Sequence, residues 1–446
     1  MLDSATCQEG SPPPLKSVSG SLSTRAAEPH CPASPPDLSC SVNPTLNTGP
    51  AAAGCVKRCR DGAKADLSAT PFRMVEKRYK LYELSRREAR RRSPPPEIDL
   101  TDVVQLYDIE GNTDENKRLL HRVVLPRQSL HSKDVPPSAL SGATEEEVQC
   151  YTFAGVPGLL LFPGVLSQKE QQYWSREAVL NYGDSTHHPN ILSTHAKTPQ
   201  GTSCYQPPMR WATLGFSYNW TQKSYHRDRY STFPSSLRQR MRDLVSLVAQ
   251  VSQDGVCCDH PAVYEPQTAI VNYYPVGSMM MCHQDISEET MAQPLLSLSL
   301  GCSAIFLIGT QSREDAPYAF LLRSGDVAAF TGLSRTAFHS TPRILDDCPA
   351  YLTVPMDGLT DAERDRYQQH AYCLRSNRDG SFLRVDKTHM TAEEQERYWR
   401  LCMRHMRINI NARQVYNEQC PFLFAEGDIR DNGGNTGGRC MTVLGE

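Results

Sequence analysis

The chain has 446 residues, with 47 lysines and arginines against 50 aspartates and glutamates, and a formal net charge of −3. At 39% hydrophobic residues it can bury one substantial core with loose segments beside it. No run approaches the ~20 apolar residues of a membrane span, and sixteen cysteines spread without a secretory signal read as reduced thiols of an intracellular protein, not as a disulfide scaffold.

Residues 1–69 are rich in Ser, Pro, Ala and Gly and poor in aromatics, the composition of a disordered extension. Asp3 and Glu9 make it a poor mitochondrial presequence, and Cys55-x-x-x-Cys59 has no second pair at zinc spacing. Thr70-Pro71 opens a helix with a capping residue and a proline at its first position. Phe72, Val75, Tyr79 and Tyr82 follow at helical spacing, and Pro71 to Arg92 carries nine Lys or Arg against three Glu. Arg90-Arg91-Arg92 ends the helix and Pro94-Pro95-Pro96 prevents its continuation. Its basic face suits the solvated side of a docked helix, a nucleic-acid contact or a nuclear-import patch.

Residues 93–150 are polar, with short helical or irregular pieces expected. Gly158 to Phe162 reads as a strand, and Ser167-Gln168-Lys169-Glu170 is a capping box opening a helix through about Tyr182. A loop is expected over 183–208, strands from Trp211 to Tyr218, and an amphipathic helix over 234–252 with Leu237, Met241, Leu244 and Val248 on one stripe. Short strands follow at 267–274, 280–286, 295–301, 303–308, 318–323, 326–331, 339–345 and 406–412, with Ser324-Gly325-Asp326 as a hairpin turn. Thr391 to about Met403 reads as a helix in a long insert before the last strand, and 419–446 as a mobile tail. The pattern predicts an α+β protein whose core is a jelly roll, a double-stranded β-helix, flanked by helices.

One stretch carries chemistry. Ala269-Ile270-Val271-Asn272-Tyr273-Tyr274-Pro275 reads as a strand, and after a turn comes His283-Gln284-Asp285. Two residues apart on a short strand, His283 and Asp285 face one way. They supply two ligands of a 2-His-1-carboxylate site, which holds Fe(II) and leaves positions open. A second triplet, His226-Arg227-Asp228, lies among Lys223, Arg227 and Arg229 with no apolar run beside it, whereas His283 precedes the alternating stretch Pro294 to Gly301. His339 fits as third ligand; His370, His389 and His405 fall in or beside helical and insert regions. Further on, Arg407, Asn409, Asn411 and Arg413 share one face of a strand. Four polar side chains cannot enter an apolar core without partners, and a guanidinium there can grip a carboxylate.

The order Asn-x-Tyr, His-x-Asp, His, Arg-x-Asn-x-x-x-Arg resembles the AlkB family of Fe(II)- and 2-oxoglutarate-dependent dioxygenases, most closely its AlkB homologue 1 branch. The likeness covers about residues 70–92 and 150–418, including a helix at 71–83 similar to the branch's N-terminal helix. It implies that His283, Asp285 and His339 bind iron, that Asn272 and Tyr274 contact 2-oxoglutarate, that Arg407 pairs with its distal carboxylate, and that Asn409 and Arg413 complete that side. Trp211 and Tyr218 match the aromatic pair of the family's nucleotide-recognition lid, about residues 205–235, and Arg313 matches an arginine near the substrate. Asn411 stands where the family usually has threonine. Ser287 stands where some members carry an acid that touches the methylated base, which leaves the base-reading contacts open. The implied domain plan is an extension over 1–69, a basic helix and polar connection over 70–149, the dioxygenase domain over 150–418 and a tail over 419–446.

The implied reaction uses Fe(II), 2-oxoglutarate and O2 to hydroxylate a methyl group on a base nitrogen, releasing formaldehyde, succinate and CO2. The implied partner is nucleic acid, tRNA or DNA, presented as a single strand or a flipped base. From Arg210 to Asp243 seven Lys or Arg face two Asp, an excess that can track phosphates despite the acidic total. The competing readings are an iron enzyme acting on protein side chains and an inactive nucleic-acid-binding scaffold. The chain is expected to be a monomer without membrane contact, in the nucleus or cytoplasm, with the mitochondrion as the alternative.

Overall fold

The computed structural model describes residues 69–80, 98–126, 147–182, 211–219, 221–251, 264–361, 363–364 and 390–417. Every described residue lies within the compact unit Ala65–Glu446. The expected extension up to residue 68, the basic segment after Lys80, the 183–208 loop and the 419–446 tail lie outside the described residues.

Fourteen strands are described. β1 (Val103–Gln105), β2 (Leu120–Pro126) and β3 (Glu147–Phe153) precede β4 (Leu159–Phe162). Next come β5 (Trp211–Asn219), β6 (Ser224–Ser231), β7 (Thr268–Pro275) and β8 (Met280–His283). The series continues with β9 (Leu295–Gly301), β10 (Ala304–Ile308), β11 (Tyr318–Leu322), β12 (Val327–Phe330), β13 (His339–Ile344) and β14 (Met406–Arg413). They form a nine-stranded sheet in the order β2-β3-β4-β12-β9-β14-β7-β5-β6 and a five-stranded sheet in the order β1-β11-β10-β13-β8.

The period of two divides each strand between two cores. Leu159, Leu161, Leu295, Ala328 and Phe330 of the large sheet meet Phe306, Ile308, Phe320 and Leu322 of the small one, which fixes the space between the sheets. The alternate residues, such as Leu160, Leu296, Leu298, Ile408, Ile410 and Val271, face three helices. These packing residues include Trp174 of α3 (Gln168–Glu177), Leu237, Met241 and Leu244 of α4 (Ser235–Val251), and Trp399 of α5 (Ala392–Met403). The capping box at Ser167 and Glu170 is present as the sequence predicts, and α3 continues as a π-helical turn, Ala178–Tyr182.

The other described helices are α1 (Pro71–Tyr79) and α2 (Asp114–Leu119). Thr70 accepts the Arg73 N–H and so caps α1. The helix buries Phe72 and Tyr79 on the outer face of the small sheet, against Ile305, Leu307, Ala319 and Leu321. Burial of a side chain such as Phe72 contributes about 1.5–3 kcal/mol. Basic residues of α1 and its C-cap meet acids: Arg73 and Lys80 pair with Glu76, and Arg78 lies 3.1 Å from Asp99 and 2.6 Å from Asp102. In its described part the basic helix is therefore a docked helix with a paired outer face, and it ends at Tyr79, short of the expected Arg92.

Three expectations need correction. Residues 93–150 are not merely irregular: β1 pairs in parallel with β11, and β2 pairs antiparallel with β3 along seven residues. Their alternation was hidden because β2 is largely exposed. Ser324-Gly325-Asp326 is not a hairpin turn, because β11 and β12 lie in different sheets. It is a corner at which the chain changes layers. Gly325 takes φ +93 there, and a Cβ on it would collide with the Gln171 amide, so glycine is required. Asp326 pins the corner by accepting from Tyr107 Oη at 2.6 Å, Gly164 N at 3.0 Å and Arg323 N at 2.7 Å. Lastly, β8 ends at His283, so Asp285 stands on the loop just beyond it. Among the described residues no helix is long and apolar enough to cross a membrane.

Candidate active site

The two sheets part at one end around a cavity of about 640 Å³. Its floor follows from register. β14 lies between β7 and β9, so Arg407 stands opposite Tyr274 and Gly301, Asn409 opposite Asn272 and Ser299, and Asn411 opposite Ile270 and Ser297. All four polar residues predicted on that face point between the sheets and line the cavity. On the facing sheet His339 of β13 is the cross-strand partner of His283 of β8, with ring centroids 4.3 Å apart.

His283, Asp285 and His339 offer ligand atoms within 4.8 Å of one another, the one such group among the described residues. The histidine tautomers are set by the backbone. His283 Nδ1 lies 2.8 Å from the Met281 carbonyl and His339 Nδ1 lies 3.1 Å from the Ala337 carbonyl. A carbonyl only accepts, so each Nδ1 carries the proton and each Nε2 keeps its lone pair for a metal. Burial, with His283 beside it, pulls the His339 pKa down to about 4, so this imidazole is neutral at physiological pH. Burial alone would raise the Asp285 pKa. The nearby Arg413, His339 and His283 outweigh it and hold the carboxyl well below the usual range. The donor set therefore fits a divalent ion.

The carboxylate is fixed from behind. Arg413 Nη1 is 3.1 Å from Asp285 Oδ2 and 2.8 Å from Glu288 Oε1, while Arg335 donates to the Asp285 carbonyl at 2.7 Å and lies 3.2 Å from Glu288 Oε2. Tyr225 donates to Glu288 Oε1 at 3.2 Å. Burial disfavours a charged Glu288, but Arg413 and Arg335 prevail and lower its pKa. Glu288, Arg335 and Tyr225 escape a sequence reading. Arg335 sits in a 3-10 turn, Gly332–Thr336, with no periodic signal, and Glu288 is marked only by its nearness to Asp285.

Arg407 differs. It is 3% exposed and donates to Ser299 Oγ at 2.6 Å and to the Cys302 and Leu322 carbonyls at 3.2 Å, all neutral acceptors. Among the described residues no carboxylate lies within ion-pair reach of it. Burial pulls its pKa down to about 10, which still leaves it cationic at neutral pH. A buried, unpaired cation is costly unless a ligand completes it. Asn272 and Tyr274, also on the cavity wall, have side-chain polar groups with no hydrogen-bond partner among the described residues. One cation, an amide and a hydroxyl thus await an anionic, oxygen-rich ligand. Asn409 is less free, since its amide donates to Ser297 Oγ at 2.8 Å and the Leu298 carbonyl at 3.0 Å. Arg413 is held by Asp285 and Glu288.

At the mouth, Tyr218 and Arg313 line the cavity and Trp211 does not. Trp211 faces the inner side as the partner of Asn272 and does not line this cavity. Tyr218 packs on Tyr225, with centroids 4.9 Å apart. Residues 211 and 218 would face opposite ways on a regular strand. Gly215, at φ +78 where a Cβ would strike the Gln267 carbonyl, and the irregular pairing after Phe216 reverse the alternation and turn Tyr218 inward. Tyr218 Oη lies 3.0 Å from Ser287 Oγ. Arg313 lies over the Phe338 ring at 4.6 Å. In the second His-x-Asp triplet, on β6, Arg227 binds Glu289 at 2.8 and 2.7 Å. The basic run of the same region is largely neutralised. Arg238 and Arg242 pair with Glu265, and buried Arg240 lies 2.9 Å from Glu170, so each of these helix arginines already has a carboxylate partner.

The chain belongs to the 2OG-Fe(II) oxygenase superfamily, whose family model matches residues 158–413. Within it the chain is similar to ALKBH1 proteins, and it is an AlkB-family dioxygenase. An Arabidopsis thaliana protein named DNA N(6)-methyladenine demethylase ALKBH1A is 26% identical over 63% of this chain and 86% of its own length. The nucleic acid dioxygenase ALKBH1 of Mus musculus is 31% identical over 44% of this chain and 53% of its own. The tRNA demethylase abh1 of Schizosaccharomyces pombe is 41% identical over 32% of this chain and 45% of its own. The chain thus spans about half the length of the mouse and fission-yeast relatives. Among solved structures, OsALKBH1 superposes with a TM-score of 0.36 and 19% identity over 58% of this chain and 97% of that one, too loosely to bear on the fold. The family works with Fe(II), 2-oxoglutarate and O2.

Proposed function

We propose that this protein is an Fe(II)- and 2-oxoglutarate-dependent dioxygenase that removes methyl groups from bases in nucleic acid, and that its two sheets are a double-stranded β-helix. One observation carries the reading: an unpaired buried cation, Arg407, and the His283, Asp285 and His339 donors share one cavity whose mouth holds Tyr218. The names of the relatives, which include a DNA demethylase and a tRNA demethylase, support the substrate class.

In this reading His283, Asp285 and His339 hold iron, and Arg407, Asn272 and Tyr274 hold 2-oxoglutarate by its carboxylates. Bound there, iron with 2-oxoglutarate and O2 supplies the oxidising power that hydroxylates an N-methyl carbon, with succinate, CO2 and formaldehyde as products. The residues of the chain orient and exclude. Arg413 and Arg335 fix the Asp285 carboxylate through its side chain and its carbonyl. Phe306, Phe330 and Leu322 keep the inner wall apolar and limit water. Tyr218 presents a ring face on which an unstacked base can lie. The lid is the β5–β6 pair, within residues 205–235. Ser287, bonded to Tyr218, occupies the base-reading position and leaves the choice of methylated base to the rest of the mouth.

The test compares nucleosides by mass spectrometry from methylated tRNA and methylated single-stranded DNA incubated with the protein, Fe(II) and 2-oxoglutarate. Loss of a methyl mark matched by formaldehyde supports the proposal. Succinate without any loss of methyl marks, together with oxidation of a methylated peptide, overturns the nucleic-acid reading. No succinate at all overturns the enzyme.

A further inference from the structure

Seven lysines and arginines lie between Arg210 and Asp243, and the side chains of five are described. Carboxylates occupy four: Glu289 takes Arg227, Glu265 takes Arg238 and Arg242, and Glu170 takes Arg240. Lys223 is the exception. It is exposed, it lines the cavity mouth beside Tyr218 and Tyr225, and no acid among the described residues lies within ion-pair reach of it.

The backbone singles out the same residue. Lys223 has φ +52, the one positive value at a non-glycine position among the described residues. That left-handed conformation disfavours a residue with a Cβ, and asparagine or glycine occupies it more readily. The turn before it is closed by Asn219, whose carboxamide oxygen accepts the Thr221 N–H at 2.9 Å and the Gln222 N–H at 3.0 Å. The Asn219 amide also donates to Gln222 Oε1 at 3.0 Å. Ser224 and Tyr225 then pair back onto Asn219 and Tyr218. The lysine therefore stands at a fixed point one residue before the strand that carries Tyr225.

We propose that Lys223 is a substrate-contact residue whose ammonium holds a backbone phosphate of the bound strand, next to the nucleotide whose base passes Tyr218 into the cavity. This rests on the nucleic-acid reading above and narrows it. A base turned out of its stack brings its own flanking phosphates to the mouth, and a phosphate contact fixes register without reading sequence. The cavity's inner arginines, Arg335, Arg407 and Arg413, are buried and cannot reach a strand outside. Arg313 lies over Phe338. Arg313 is the other exposed cation on the cavity lining, and Lys223 is the one that adjoins the strand of Tyr225 opposite Tyr218.

The experiment measures affinity for a labelled, methylated single-stranded oligonucleotide across a salt series, with full-length wild type and the variants Lys223→Asn, Lys223→Gly and Lys223→Arg. Each lost phosphate contact on a single strand flattens the slope of log K against log salt by about 0.7, which is about an 8-fold loss of affinity at 50 mM salt. Lys223→Asn and Lys223→Gly both suit the left-handed backbone and should fold with an unchanged or higher melting temperature. Both should lose the slope and the affinity together, while Lys223→Arg keeps them. Lines parallel to wild type for the Asn and Gly variants overturn the phosphate contact and leave the nucleic-acid reading standing. Failure of wild type to bind either methylated RNA or methylated DNA overturns both.

Discussion

Replacing Arg407 by methionine keeps most of the side-chain volume and removes the charge. In the protein without ligand, three donated hydrogen bonds disappear, to Ser299, Cys302 and Leu322. The cost of burying an unpaired cation disappears with them. Each lost bond from the charged guanidinium is worth about 1.5–3 kcal/mol, a sum that the relieved desolvation of the cation opposes, so the net change in melting temperature should be small. Ligand binding should respond differently. A charge-assisted bond to a carboxylate is worth about 1.5–3 kcal/mol, or about 10- to 150-fold in affinity. The site's 3% exposure and the depression of the Arg407 pKa to about 10 describe a poorly solvated environment, which favours the upper half of that range. We predict that anaerobic calorimetric titration of 2-oxoglutarate into the nickel-loaded variant shows this loss, with metal affinity changed less than threefold. A 2-oxoglutarate isotherm superimposable on that of wild type would show that Arg407 is not the anchor.

Three further outcomes are expected. Asp285→Ala should abolish succinate formation while circular dichroism stays native-like, because Arg413 keeps Glu288 as a partner; full succinate production would remove Asp285 from the metal site. Tyr218→Ala should weaken methylated-oligonucleotide binding by about 1–3 kcal/mol, the value of one base stack, with little change in melting temperature because the ring is half-buried. A large drop in melting temperature with unchanged affinity would return Tyr218 to the core. Glu76→Ala should lower stability by about 3–5 kcal/mol, measured by urea unfolding, since it strips buried Glu76 from Arg73, Lys80 and the Cys282 N–H at 2.9 Å. Glu76→Gln, which keeps an acceptor for Cys282, should lose less, and equal losses in the two variants would deny that bond a role.

The residues at the centre of the cavity were legible because their signals are local. His283 and Asp285 are two apart, and the alternation Arg407-Asn409-Asn411-Arg413 is a strand period that survives in the structure without a break. Tyr218 was legible only through its resemblance to a family position, since the turn at Gly215 that aims it inward is a long-range packing event against Gln267. The same limit explains Trp211, where type and spacing fit a lid and the cavity wall lies elsewhere. Arg335 and Glu76 had no local mark, and Glu288 had only its nearness to Asp285. Each acquires its role from a partner distant in sequence: Glu76 reaches Cys282 and Arg335 reaches Asp285. The corner at Ser324-Gly325-Asp326 shows the complementary failure. A tight turn was recognisable from composition, but whether it reverses a strand within one sheet or carries the chain to another depends on which strands lie beside it.

β14 is the last described strand in the sequence and sits in the interior of the nine-stranded sheet, between β9 and β7. On a ribosome, the strands on either side are made long before it. Until residues 406–413 emerge, β9 and β7 each present a row of unpaired backbone groups towards the gap. The nascent chain is therefore at its most vulnerable to intermolecular strand pairing late in synthesis, when most of it already exists. The same delay has a protective side. A chain interrupted before residue 406 can carry His283, Asp285 and His339 but lacks Arg407, so an unfinished product can gather metal without assembling the co-substrate end of the site. Pulse-labelled translation intermediates halted at residue 400 should accordingly be protease-sensitive across β7 and β9, and become resistant together once β14 is released.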